Sequence, residues 1–269
     1  MPIDASSPLL PTLDTLLRAH AGAFSLEVVR IAGMVVVAPL SWTIAPLRVR
    51  AALIVLLALA VHGQLSPGLA QASPEQLACG VTGEFLLGAA IGFVVRLVIA
   101  GVEFASDQIA PMMGLSAAQM FDPSAHATHT VLSTLFRNLA ILLGLVAGLH
   151  RIALGGLLHS FRVIPVGTLV HLSQPMPLLF AMTASALESG IRMAIPLIAV
   201  LLMTQVALAF ISRAAPAIQI FSIGFAVTLA TGTLLLVLVL PDIGYQVLSD
   251  VSHVGTQIES LLFSAGAAS

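Results

Sequence analysis

PLLFAMTASALESGIRMAIPLIAVLLMTQVALAFI, residues Pro177–Ile211, decides the fold class of this chain. Its formal charges are Glu188 and Arg192, four residues apart and of opposite sign, a spacing that lets them neutralise each other on one helix face. Coiled as an α-helix, the stretch reaches about 50 Å at ~1.5 Å per residue. A bilayer's hydrocarbon core is only ~30 Å thick and takes about 20 apolar residues. Tilt accommodates such a length poorly; Pro196 is a place for a bend. The stretch therefore reads as a membrane helix, part of which packs on protein outside the bilayer.

The rest of the chain has the same character. Of 269 residues, 58% are hydrophobic and 8% charged, with a mean hydropathy of +1.07. Ordinary soluble domains are about 45–50% apolar and about 25% charged, so this chain cannot cover a soluble surface, and it is far too apolar for disorder. Five further segments of comparable character lie on either side of the first: about Phe24–Leu40, Ala51–Leu65, Pro74–Ile109, Val131–Leu149 and Ile218–Leu240. The expected fold is an all-α integral membrane protein of about six long hydrophobic helices, some kinked or longer than a bilayer. It reads as a single membrane-embedded domain over 1–269, with a lead-in at 1–23, a polar loop at 110–130 and an amphipathic tail at 242–269. The lead-in lacks the basic and long apolar regions of a cleaved signal peptide. Arg48 and Arg50 favour a cytoplasmic first loop.

Composition also excludes chemistry. Net charge is −2, which offers no basic patch for nucleic acid. All ten basic residues are arginine, so there is no P-loop lysine and no amine nucleophile for Schiff-base chemistry. Cys79 stands alone, excluding an intrachain disulfide and reading as a small packing residue. His126 and His129 are three residues apart with only Asp122 near them, too few ligands for a metal site. No cofactor is expected. No nucleophile elbow is present, and an intramembrane enzyme using His126, His129 or Asp122 ranks below the other readings. A secondary transporter with helices broken near Pro111 and Pro196 is the principal alternative, but it calls for matching halves, and the two regions show no convincing repeat.

Several charges lie inside apolar segments, where each costs about 2.5–3.5 kcal/mol at a lipid-facing helix centre. Glu27 and Arg30, at i,i+3, read as a self-neutralising pair. Glu84, Arg96, Glu103, Asp107 and Arg137, with Arg213 at the end of its segment, are candidates for a subunit interface or a polar lumen. Gly88–Gly92 and Gly144–Gly148 are GxxxG pairs, common in Gly-rich apolar helices. The loop after the third segment reads PMMGLSAAQMFDP, Pro111–Pro123. Its methionines are flexible and polarizable, which fits either a plain interfacial loop or a soft constriction.

At this loop the sequence resembles the FliR/SctT family of type III secretion export-gate subunits. Gly114-Leu115-Ser116-Ala117 through Asp122-Pro123 is similar to its G-F-S … D-P loop. Leu157-Leu158-His159-Ser160-Phe161 with Ile164-Pro165-Val166-Gly167 is similar to its L-x-x-S-F … I-P-x-G segment. Ser212-Arg213-Ala214-Ala215-Pro216 with Ile220-Phe221-Ser222-Ile223-Gly224-Phe225 is similar to N-R-A-A-P … I-F-S-I-G-F, and Ala38-Pro39-Leu40 with Pro46–Arg50 fits its first loop. Ser212, Gln219 and Ala226 depart from the usual Asn, Asn and Pro. The motifs run in register over nearly the whole chain, and the S-I-G-F wording leans to the flagellar branch rather than the injectisome branch.

The resemblance implies a non-enzymatic structural and gating subunit in the bacterial inner membrane, at the flagellar basal body. Its partners would be FliP- and FliQ-type export-gate subunits, an FlhB-type switch protein docked at the C-terminal tail, membrane lipid and exported unfolded proteins. The helices would pack into a helical hetero-oligomeric export gate. The loop carrying Met112, Met113, Gly114, Met120, Phe121, Asp122 and Pro123 would plug the channel, and energy would come from other components. An apolar plug blocks water and ions by dewetting.

Overall fold

Length and apolarity dictate helices, and the computed structural model of the chain describes residues 9–39, 46–62, 74–115, 131–168, 174–214 and 220–266, in which all regular structure is helical. In chain order these are α1 (Leu9–Val37), α2 (Leu47–His62), α3 (Pro74–Met112), α4 (Val131–Val146), α5 (Leu149–Val163), α6 (Pro175–Ala214) and α7 (Ile220–Gly266). Pro74 and Pro175 open their helices, where a missing N–H matters least. The Pro46 carbonyl accepts from Val49 and Arg50 N–H at 2.9 and 3.2 Å, starting α2. Gly148, at φ 84°, separates α4 from α5.

The structure differs from the sequence reading at several boundaries. α1 begins at Leu9, inside the stretch read as a lead-in. The mixed stretch after His150 contains α5, an amphipathic helix that buries Leu149, Ala153, Leu157, Ser160 and Phe161. α7 does not stop at Pro241 but continues as one 47-residue helix. A proline removes one backbone hydrogen bond; here apolar residues recur in helical phase beyond it, and Ile243, Val247, Val251, Val254, Ile258 and Leu262 are all buried.

The chain, read from sequence as one domain, packs as two compact units. The first comprises residues 1–96, 149–181 and 254–269. In it α1 and α3 approach closely because Gly33 faces Phe85 and Ala89, Gly88 faces the Arg30 carbonyl and Gly92 faces the Met34 carbonyl. The end of α7 lies along α5, with Ile258 over Gly156 and Val163 beside Gly266. The part of the tail around Ile258 and Gly266, expected to dock a partner, thus packs on the chain's own α5. The second unit comprises residues 97–148 and 182–253. Gly101 on α3 meets Gly190 on α6 with no side chain between them. Ser189 donates to Asp250 at 3.0 Å, and Gln246 donates to Ser189 and Asp250 at 3.2 and 3.0 Å, tying α6 to α7.

Among the described residues, three helices are long and apolar enough to cross a membrane, Gly80–Met112, Pro175–Ala214 and Ile223–Gly266; α4 and α5 taken as one broken span make four. α2, at 16 residues, is shorter than the roughly 20 a bilayer needs. The most apolar window is 61% buried in the α3 span but only 17% and 11% in those of α6 and α7. α3 is therefore a core helix, whereas α6 and α7 turn most of their apolar surface outward.

Candidate functional site

Three of the residues singled out in the loop, Met112, Met113 and Gly114, lie at the end of α3 in the second unit. A helix leaves its last four carbonyls without partners inside the helix, and here each is met. Ile109 accepts from Met113 N–H at 3.2 Å, Pro111 from Gly114 N–H at 3.0 Å and Ala110 from Leu115 N–H at 3.1 Å. This is a Schellman ending, and Gly114 supplies the left-handed residue it requires, at φ 81°. The fourth carbonyl, of Met112, accepts from the Gln205 side-chain amide on α6 at 3.0 Å. Met113 is 3% exposed. Its side chain fills a notch at Gly232 on α7, where a Cβ would come within 2.6 Å of Met113 Cγ and 2.7 Å of Cε. The Phe225 ring edge lies over Gly114, 3.0 Å from where a Cβ would stand.

A second constellation lies in the core of the first unit. Arg30 of α1 is fully buried and its Nε donates to Glu84 Oε2 on α3. Taking an ion pair out of water costs several kcal/mol per ion unless further contacts complete it. They come from the segment Ser160–Gly167. Arg30 Nη1 donates to the Ile164 carbonyl at 3.0 Å and to Ser160 Oγ at 3.4 Å. The Arg30 guanidinium stands 4.5 Å from the Phe161 ring centroid, a cation–π distance. Gly167, at φ 85°, donates its N–H to the other Glu84 oxygen at 2.9 Å. Arg30 Nη2 has no partner among the described residues. One turn earlier on α1, buried Glu27 meets His62 Nδ1 of α2 at 3.1 Å, and the His62 ring sits edge-on to Phe24. Together these contacts join four helices and the turn after α5 by charge and hydrogen bonding.

Both constellations fall in stretches where the chain matches known proteins. A family model described as bacterial export proteins, family 1, matches residues 21–254. The chain belongs to this family of bacterial export proteins. Among its relatives is the flagellar biosynthetic protein FliR of Escherichia coli (strain K12), 34% identical over 158 residues, which are 59% of this chain and 60% of that protein. The FliR of Caulobacter vibrioides is 28% identical over 199 residues, 74% of this chain and 79% of that protein. The FliR of Aquifex aeolicus is 30% identical over 160 residues, 59% of this chain and 61% of that protein. The match to the Escherichia coli protein thus spans less than two thirds of its length. The family expected from the motifs is the family found, and the long apolar helices make this member of the bacterial export proteins an all-helical, multi-pass inner-membrane protein.

In this export-family member the remaining charges divide between internal pairs and exposed positions. Glu84, expected at an interface or lumen, is instead neutralised by Arg30 inside the chain and is 1% exposed. Glu27 and Arg30, expected to pair with each other, take His62 and Glu84 as their hydrogen-bonded partners instead. Glu103 and Arg137 lie 3.5 Å apart, tying α3 to α4. Glu188 and Arg192 form the expected pair on one helix face at 2.5 Å, both exposed. Arg96, Asp107 and Arg213 are exposed. Met120, Phe121, Asp122, Pro123, His126 and His129 lie outside the described residues. Sequence reading missed Gln205, Gly232, Ser160 and Gly167 as partners of these sites. For the last two the signal was present, since they fall in the motif Ser160-Phe161 … Ile164-Pro165-Val166-Gly167, whose residues receive the buried ion pair.

Proposed function

We propose that this chain is a non-enzymatic structural and gating subunit of the flagellar type III export apparatus, where it helps form the channel that passes unfolded proteins across the inner membrane. The segment Met112–Pro123 acts as the plug. FliP- and FliQ-type subunits are its proposed neighbours, and the unfolded cargo passes without covalent chemistry. One observation carries the assembly reading. α6 exposes large apolar side chains from Met176 to Ile211, a run of about 50 Å at ~1.5 Å per residue, against ~30 Å of hydrocarbon. Lipid cannot cover that length, so other protein does. Exposed Arg96, Asp107 and Arg213 suit polar contacts in such an assembly.

The test is native mass spectrometry of the detergent-extracted chain, first alone and then co-expressed with the FliP- and FliQ-type proteins of the same genome. A discrete hetero-oligomer retaining this chain is expected. A stable monomer or homodimer indifferent to those partners would overturn the reading and favour the transporter alternative.

A further inference from the structure

The Schellman ending already satisfies three of the four terminal carbonyls of α3 from within the chain's own turn. Gln205 and Gly232 add something a simple helix stop does not need: they fasten the stop to two other helices. Gly232 is informative because a glycine inside a helix is destabilising relative to alanine. The three atoms nearest its missing Cβ are all from Met113, at 2.6, 2.7 and 3.0 Å, so the glycine makes room for that side chain. The Gln205 amide is part-buried and fixes the Met112 carbonyl at 3.0 Å. Phe225, two turns before Gly232 on α7, stands at the same end of α3 and abuts Gly114. Three successive residues are thus held from two helices, and the third, at φ 81°, sets the direction in which the backbone leaves.

We propose that Gln205, Gly232 and Phe225 form a clamp on Met112–Gly114 that positions the root of the plug and thereby sets how tightly the resting channel excludes ions. The proposal rests on the gating role of Met112–Pro123. Its logic is leverage. A dewetted apolar constriction depends steeply on its aperture, and the contacts of Gln205, Gly232 and Phe225 fix where the chain leaves α3. Gln205 and Gly232 are positioning residues; they need not line the channel.

The experiment uses the full chain co-expressed with its FliP- and FliQ-type partners, in inverted membrane vesicles. Decay of an imposed pH gradient is measured per assembled complex, and thermal unfolding of the complex is followed in parallel. Gly232→Ala drives a Cβ into Met113, and Gln205→Leu removes the donor to Met112. Each is expected to raise the resting leak about fivefold, the factor that ~1 kcal/mol of lost closed-state preference gives, with the unfolding midpoint little changed. Gly224→Ala is the control on the same helix, since among the described residues its Cβ would meet only Leu208, at 3.8 Å; it is expected to leak as wild type. Met120→Ala and Phe121→Ala test the plug itself. Wild-type leak in Gly232→Ala and Gln205→Leu, beside raised leak in the plug variants, overturns the clamp and leaves the gate. Wild-type leak in all of them overturns the gate and the clamp together. Where Gly232→Ala does not assemble, Gln205→Leu decides alone.

Discussion

At the scale of single residues, the core of the first unit is organised by a charge that has no place there until it is paired. Arg30 is completely buried and Glu84 nearly so. Removing one partner strands the other in an apolar interior, at a cost of about 3–5 kcal/mol, whereas replacing both with apolar side chains is often neutral. Glu84→Leu and Arg30→Met are therefore each expected to lower the unfolding midpoint of the detergent-solubilised protein strongly. The double variant is expected to recover most of the loss. A double-mutant cycle on that midpoint measures the coupling; a double variant as unstable as the sum of the singles would show that the two charges act independently. The recovery is expected to be incomplete, because Arg30 also stacks on Phe161 and holds the Ile164 carbonyl.

At the scale of elements, close helix approach separates glycines that the sequence presents alike. Gly88 and Gly92 sit where α3 touches the α1 backbone, so their GxxxG spacing marks a true crossing. Gly144–Gly148 has the same spacing, but α4 ends at Val146 and Gly148 belongs to the break, so no helix face carries both. A side chain at Gly88 meets backbone and forces the helices apart. Gly155 has nothing among the described residues within 4 Å of its missing Cβ. Gly88→Ala is expected to destabilise the protein by about 1–3 kcal/mol through overpacking, whereas Gly155→Ala is expected to be neutral or stabilising by up to about 1 kcal/mol through helix propensity. Equal effects on thermal unfolding would remove the crossing as the explanation. Among the described residues, six of the seven helices were legible from apolar runs, and so was the excess of α3 and α6 over a bilayer; α5, in a stretch of mixed polarity, was not. Pairings were not. Arg30 and Glu84 are 54 residues apart and Gln205 and Met112 are 93 apart, and no periodicity reports a contact at that separation. The continuation of α7 through Pro241 was also hidden, because a proline ends a helix on local grounds and only burial of the flanking stripe overrides it.

At the scale of the whole molecule, composition left undecided which apolar surface meets lipid and which meets protein. Both media cover exposed leucine and phenylalanine, so hydropathy cannot tell them apart. Shape can. On α7 a shallow groove is lined by Ala226, Leu229, Ala230, Thr233, Leu234 and Val237, with small side chains at 226, 230 and 233 along one face. Small residues at such spacing let a neighbouring helix approach closely, and fluid acyl chains have no use for the shape. A large apolar side chain there discriminates between the two. Ala230 is exposed within this chain, so Ala230→Trp leaves its own packing untouched and adds only apolar area. Against lipid the substitution is harmless: the chain inserts, accumulates and retains its partners. Against a packed helix it fills the groove and displaces the neighbour. Because α7 is only 11% buried in its most apolar window and runs about 70 Å at ~1.5 Å per residue, protein cover is the expected state. Ala230→Trp is accordingly expected to keep the membrane level of this chain while losing co-purification of a FliP- or FliQ-type subunit and, with it, flagellar export. Unchanged co-purification and motility would assign this face of α7 to lipid and move the search for the neighbour's seat to α6, whose exposed Met203, Val206 and Phe210 offer the next apolar face.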